Sequence, residues 1–350
     1  MTFEVAAAVP SRPGRAMLDH APNPCDRMSS PPEFEILPEQ AGATLAAVLR
    51  SAPEGVPPGA SWKDVKGWCT RGKVQVDGAN SLDPARRMLE GERVTLRLDA
   101  PKQSAKRIEL VHVDADVVVV DKPAGMLSVP VRGRDPSCLA ERTAQILARR
   151  ERQPAKPLEV VHRIDRGTSG LLLFARTPEA RRHLKAQFAE HSTERRYRAL
   201  TSGVARSAEH HGFLMENRGD GLRGSWGLHR PTDDPPAADT REARTRVELL
   251  ERLTNASLVQ CTLTTGRQHQ IRIHLSEAGT PLAGETVYIR DYAGPRVAAK
   301  RAMLHAASLG FTHPSTGARL RFERPDAADF AALLARLRRF TGGRHGTPRT

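Results

Sequence analysis

Cysteine is sparse and scattered: Cys25, Cys69, Cys138 and Cys261 are the four in 350 residues, and none stands in a CxxC pair or beside a histidine-rich stretch. That spacing indicates neither a structural zinc site nor a disulfide framework. Long uncharged apolar runs are missing too, as is the apolar core of a signal peptide, so a soluble, cytoplasmic chain without a membrane partner is expected. No glycine-rich nucleotide loop, metal-ligand cluster or reactive-thiol context is present, and no cofactor is expected. Aromatic residues make up 4% of the chain, with three tyrosines, so each tyrosine stands out. Acidic charge is also short: 40 Asp and Glu face 54 Lys and Arg, a formal net charge of +14. An anionic partner follows, and clustered Lys and Arg suit phosphate contacts that weaken steeply with salt.

The length leaves room for two domains and tails. Residues 1–33 are rich in Ala, Pro, Ser and Arg without apolar periodicity and read as a disordered extension. Thr44 caps a helix running to Arg50, and Ser61 caps a second running to Thr70. Lys73–Gly78 alternates as a strand and closes in an Asp-Gly turn; Gly91–Leu98 repeats the alternation. Pro101–Arg107 is a basic linker, and Val117–Val120 is a strand buried on both faces that ends in Asp121-Lys122-Pro123-Ala124-Gly125. Pro136–Arg150 reads as an amphipathic helix, and Thr177-Pro178-Glu179 opens another. Gly203–Asp239 reads as loop, strands follow at 246–252 and 257–262, and a last helix spans 326–340 before a basic tail at 341–350.

The centre of the chain is Val161-His162-Arg163-Ile164-Asp165-Arg166-Gly167-Thr168-Ser169-Gly170, running into Leu171-Leu172-Leu173-Phe174. An apolar strand follows a small-residue turn, which places Asp165 on a loop held against a rigid element. Flanking guanidiniums favour the ionised carboxylate, and an ionised carboxylate is a nucleophile. A structural salt bridge explains the same residues. Further on, Glu194-Arg195-Arg196-Tyr197-Arg198-Ala199-Leu200 reads as a strand, with Tyr197 as a packed aromatic. Thr265-Gly266-Arg267-Gln268-His269-Gln270-Ile271-Arg272 leads into a helix that Gly279 closes. Two histidines there, without a third ligand, make a poor metal site.

These stretches together resemble the motifs of the RluA-type pseudouridine synthases, in order: Asp-Lys-Pro-Ala-Gly, His-Arg-Ile-Asp-Arg-Gly-Thr-Ser-Gly, basic-x-Tyr-x-Ala and Thr-Gly-Arg-x-His-Gln-Ile-Arg. The resemblance implies Asp165 as nucleophile, Tyr197 stacked on the target base, and Arg272 paired with Asp165. Glu285 stands where the family usually has Asp. Residues 34–98 resemble the small RNA-binding domain named after ribosomal protein S-four, with Lys63, Lys66, Arg71 and Lys73 near one exposed edge. In the larger domain Arg163, His162, Arg166 and Arg267 are the expected RNA contacts, Arg163 filling the space that a flipped base vacates.

The resulting expectation is an α+β chain: an S-four-like domain at 34–100, then a catalytic domain at 108–340 with a mixed, mainly antiparallel sheet. Its implied activity is isomerisation of uridine to pseudouridine in structured RNA, ribosomal before transfer RNA, by a monomer. Two rivals use the same residues. One is a non-catalytic RNA-binding or ribosome-assembly factor; the other is a nucleoside glycosidase, which would need a second carboxylate to activate water.

Overall fold

The computed structural model describes residues 31–342 except 52, 55, 82, 99–107, 132, 134 and 230–238. Strand β1 (Glu33–Glu35) leads to helices α1 (Leu45–Arg50) and α2 (Trp62–Thr70), then strands β2 (Val74–Val76), β3 (Ala79–Asn80) and β4 (Arg93–Leu96). Both helices begin as their side chains dictate. Thr44 Oγ1 accepts the Ala47 N–H at 3.1 Å, and Ser61 and Asp64 form a reciprocal capping box at 3.2 and 3.0 Å. Asp77 and Gly78, with φ of 49° and 72°, make the positive-φ turn between β2 and β3. The four strands pair in the order β1-β4-β2-β3, and Leu45, Leu49, Val65, Val74, Val94 and Leu96 fill a core beneath them.

The second sheet opens with β5 (Glu109–Val113) and β6 (Val117–Lys122), followed by α3 (Leu139–Glu151), β7 (Glu159–Val160) and β8 (Ser169–Ala175). Next come α4 (Pro178–Ala189), β9 (Glu194–Ser202), β10 (Ala208–Met215), β11 (Gly224–Ser225) and the short α5 (Trp226–His229). The chain closes with β12 (Arg241–Leu253), β13 (Ala256–Leu263), α6 (Gln270–Glu277), β14 (Leu304–Thr312), β15 (Arg319–Glu323) and α7 (Ala328–Gly342). The order across the sheet is β11-β10-β12-β13-β9-β14-β8-β6-β5, with β15 beside β14 and β7 beside β8. Pairing is antiparallel except between β14 and β8, so the sheet is mixed and mainly antiparallel, within an α+β fold.

Packing on both faces explains why β8 and the four valines of β6 are buried. Val118, Val120, Leu172 and Phe174 pack with Leu139 and Leu147 of α3, while Val117, Val119, Leu171 and Leu173 pack with Ala180 and Leu184 of α4. Helix α7 lays Phe330, Leu333, Leu334 and Leu337 against Leu200, Leu253 and Leu258. Among the described residues, no helix is long and apolar enough to cross a membrane.

The structure corrects the expected loop at 203–239. Eight of those residues form β10, paired along its length with β12, and β11 and α5 follow. Strand β10 carries Glu209, His210 and His211 on a largely exposed segment, so it lacks the apolar alternation by which a strand is recognised. Glu33, placed in the expected disordered extension, opens β1. Residues 1–30 of that extension, the linker at 101–107 and the tail from 343 lie outside the described residues, while Thr341 and Gly342, expected in the tail, end α7.

Candidate active site

Asp165 sits on the loop between β7 and β8, and buried groups hold that loop from below. Ser128 Oγ donates to the Ile164 carbonyl at 2.7 Å and accepts the Ile164 N–H at 3.2 Å. Lys122, fully buried at the end of β6, sends its ammonium to the carbonyls of Met126 (2.8 Å), Arg166 (3.2 Å) and Pro123 (3.3 Å). The Gly125 N–H donates to the same Arg166 carbonyl at 2.6 Å, which joins the Pro-Ala-Gly turn to the Asp165 loop. A buried charge stays ionised only with such partners, so Lys122 ties the two motifs together. Arg301 adds a third tie through the Gly167 carbonyl and Ser169 Oγ, both at 3.1 Å, while its other edge pairs with Asp329 of α7. Asp165 therefore presents a carboxylate one-fifth exposed (20%) on an anchored loop.

Around that carboxylate stand residues from distant stretches. Tyr197 on β9 is buried, its phenol pushed up to about 12 chiefly by burial and then, against the pull of Arg195, by Asp165, so it is protonated at neutral pH. His269 caps α6 in a left-handed conformation with φ of 60°, and its Nε2 lies 4.0 Å from Asp165 Oδ1. Arg272, one turn on, spends its fork on Glu285: Nε to Oε2 at 2.8 Å and Nη2 to Oε1 at 2.6 Å. Glu285 Oε1 also accepts the N–H groups of Thr286 (3.0 Å), Val287 (2.9 Å) and Tyr288 (3.3 Å). Burial acts against the charges of this pair, but each partner holds the other ionised: the Glu285 carboxyl is lowered and the Arg272 guanidinium raised, with Asp165 adding to the latter. The guanidinium also lies over the Tyr288 ring, 5.3 Å from its centroid. The site thus offers a carboxylate, a protonated phenol and a fixed cation.

Comparison with known proteins gives this geometry a family. The sequence model described as RNA pseudouridylate synthase matches residues 116–277. Ribosomal large subunit pseudouridine synthase D of Zymomonas mobilis is 34% identical over 273 residues, covering 74% of this chain and 84% of that one. The chain belongs to the RNA pseudouridine synthases. Ribosomal large subunit pseudouridine synthase C of Escherichia coli is 29% identical over 87% of this synthase and 95% of its own length. Human RNA pseudouridylate synthase domain containing 4 shares the fold, with a TM-score of 0.53 at 21% identity over 66% of this synthase and 93% of that chain.

The expected site residues of the synthase divide by location. Tyr197 and Arg272 both lie near enough to Asp165 to feel its charge, yet no ion pair within 4.0 Å joins Arg272 to Asp165, because Glu285 takes the guanidinium. Arg163 and Arg267 are exposed, the latter with Nε on the Glu242 carbonyl at 2.8 Å. His162, expected among the RNA contacts, turns inward: Nε2 accepts the Leu173 N–H at 3.0 Å, the ring stacks on Phe188, and burial pushes its pKa down to about 3. Arg166 is half-buried, its Nε on the Gly125 carbonyl at 3.2 Å. On α2 and just after it Lys63, Lys66 and Arg71 are exposed, whereas the Lys73 ammonium is taken by the Leu98 carbonyl. Sequence reading missed Lys122, Ser128 and Arg301 as supports. A lysine closing an otherwise apolar strand was the available signal for the first; nothing in the sequence marks the other two.

Proposed function

We propose that this synthase isomerises specific uridines to pseudouridine in structured RNA, ribosomal RNA before transfer RNA, with Asp165 as the nucleophile acting on a base flipped out of its stack. The observation that carries this reading is the anchored, partly exposed Asp165 carboxylate facing Tyr197 and the Arg272–Glu285 pair. Relatives at 34% and 29% identity bear ribosomal large subunit names, which supports the choice of RNA.

The reaction breaks the bond between uracil N1 and ribose C1′, turns the base within the site, and rejoins it through C5, which gives up its proton while the freed N1 takes one up. Atoms and oxidation state are conserved, so the residues named suffice: a carboxylate to act on the nucleoside, a cation to stabilise developing charge, and an aromatic face to hold the detached base. Flipping the uridine costs a few kcal/mol, on the order of one lost stack and pair. Arg163, exposed beside the nucleophile, fills the vacated space, and Tyr197 stacks on the base. Residues 34–100 act as a separate RNA-binding domain of the S-four-like kind ahead of the catalytic domain at 108–340, through Lys63, Lys66 and Arg71.

The test is carbodiimide-adduct primer extension across total RNA from cells carrying wild-type protein, a deletion, or Asp165→Asn. Sites lost in both mutants identify substrate and nucleophile together, while the variant's circular dichroism spectrum stays native. Loss in the deletion alone would remove Asp165 from the chemistry, and loss confined to transfer RNA would move the substrate.

A further inference from the structure

With Arg272 committed to Glu285, His269 is the only basic side chain of the described residues within 4.0 Å of the Asp165 carboxylate. Its other ring nitrogen is engaged as well: Nδ1 lies 2.8 Å from the Tyr288 hydroxyl, and the two rings meet edge to face at 5.6 Å. Tyr288 is itself fixed. It is 5% exposed, its backbone N–H is held by Glu285 Oε1 at 3.3 Å, its carbonyl accepts from Ser276 Oγ, and Arg272 covers its ring.

Which atom carries the proton between Tyr288 and His269 decides what faces Asp165. If Nδ1–H donated to the phenol, the phenol's own proton would have no acceptor, and the Nε2 lone pair would face a carboxylate. If the phenol donates to Nδ1, both groups are satisfied and the proton of the neutral imidazole sits on Nε2, aimed at Asp165 Oδ1. Burial keeps Tyr288 protonated and, with help from the Arg272 charge, His269 neutral in either arrangement, so the choice between the two rests on the hydrogen bonds: the phenol to Nδ1 and Nε2 towards Asp165.

Taking Asp165 as the reacting group, we propose that His269 is a positioning residue for it: Tyr288 fixes the imidazole tautomer so that Nε2–H steers the Asp165 carboxylate. The remaining gap closes by about 1 Å, to ordinary hydrogen-bond length, when RNA settles the loop. The left-handed backbone at His269 suits this purpose, because it turns the side chain back over the start of α6 towards the Asp165 loop at a cost a structural residue need not bear.

The experiment measures single-turnover pseudouridylation and RNA affinity for Tyr288→Phe, His269→Ala, His269→Gln and Asp165→Asn on the substrate identified by mapping. A lost hydrogen bond predicts about tenfold slower turnover for Tyr288→Phe and His269→Ala with unchanged affinity. His269→Gln keeps an N–H at the same reach and stays within about threefold of wild type. In long-range 1H–15N spectra the His269 proton sits on Nε2 in the wild type and shifts towards Nδ1 in Tyr288→Phe. If Asp165→Asn is inactive while both Tyr288→Phe and His269→Ala turn over at the wild-type rate, the positioning role is wrong and the nucleophile stands. If Asp165→Asn turns over normally, the nucleophile reading fails first. Equal damage from His269→Gln and His269→Ala, with an Nδ1–H tautomer in the wild type, also overturns the proposal.

Discussion

Arg163 and Arg166 flank the same aspartate, and the loop treats them in opposite ways. Arg166 is half-buried with Nε on the Gly125 carbonyl, and burial lowers its pKa, whereas Arg163 points out. A guanidinium that replaces a flipped base must stack, and an ammonium cannot. Arg163→Lys is therefore expected to slow single turnover by about tenfold, the worth of one stacking contact, while salt-dependent binding barely changes. Glu285 gives a prediction of stability. Replacing it by Gln keeps its size but strands the Arg272 charge, which should cost about 3 kcal/mol in urea unfolding at pH 7. The sign of the pH dependence follows from its lowered carboxyl: the contribution is complete above the ordinary value of 4.5 and fades as pH falls through the depressed folded value. The gap between wild type and variant should narrow towards pH 3. Motif residues named Asp165, Tyr197 and Arg272 as neighbours, but not the partner of the Arg272 fork. A one-dimensional pattern carries residue types, and a fork goes to whichever acid the fold brings within reach.

At the scale of the element, capping chemistry was legible and edge strands were not. Thr44, Ser61 and Thr177 each accept from the residue three positions on, so their helices begin where the sequence places them. Val117–Val120 and Leu171–Phe174 are buried as their apolar runs require. Strand β10 escaped because its exposed polar side chains carry no period, and its place in the sheet comes from β12. Gly170 shows what such a reading cannot foresee. It ends the small-residue turn read from the sequence, yet it belongs to β8, with φ of +108°, where an added Cβ would lie 2.3 Å from the Ala306 carbonyl oxygen. That contact is the parallel pairing of β8 with β14, the one exception to antiparallel order among the described residues, immediately after the Asp165 loop. Gly170→Ala should destabilise the synthase by more than about 3 kcal/mol, through a positive-φ strain and a backbone clash with no flexible partner to yield. Thermal unfolding of the purified variant checks this; a melting temperature within two or three degrees of wild type, about the noise of such a comparison, would mean that β8 and β14 separate easily.

Over the whole molecule, the fold brings Lys122, Asp165, Tyr197 and Arg272 together from four separated motifs, and the chain carries a formal net charge of +14, which favours anionic partners. The group of residues around Asp165 uses little of that excess. Its cations are committed: Arg272 to Glu285, Lys122 to carbonyls and Arg301 to Asp329. Arg163 is the exposed basic group beside Asp165, and the helix carrying Lys63 and Lys66 offers two more, both away from Asp165 in sequence and outside the small sheet's core. Each phosphate contact removed should reduce the slope of log affinity against log salt by about 0.7 to 0.9. Lys63→Ala with Lys66→Ala is expected to flatten that slope by about 1.5 and to leave the single-turnover rate at saturating RNA unchanged. An unaltered slope would take the small domain off the RNA, whereas a flattened slope with slower saturated turnover would mean that its grip also orients the uridine at Asp165.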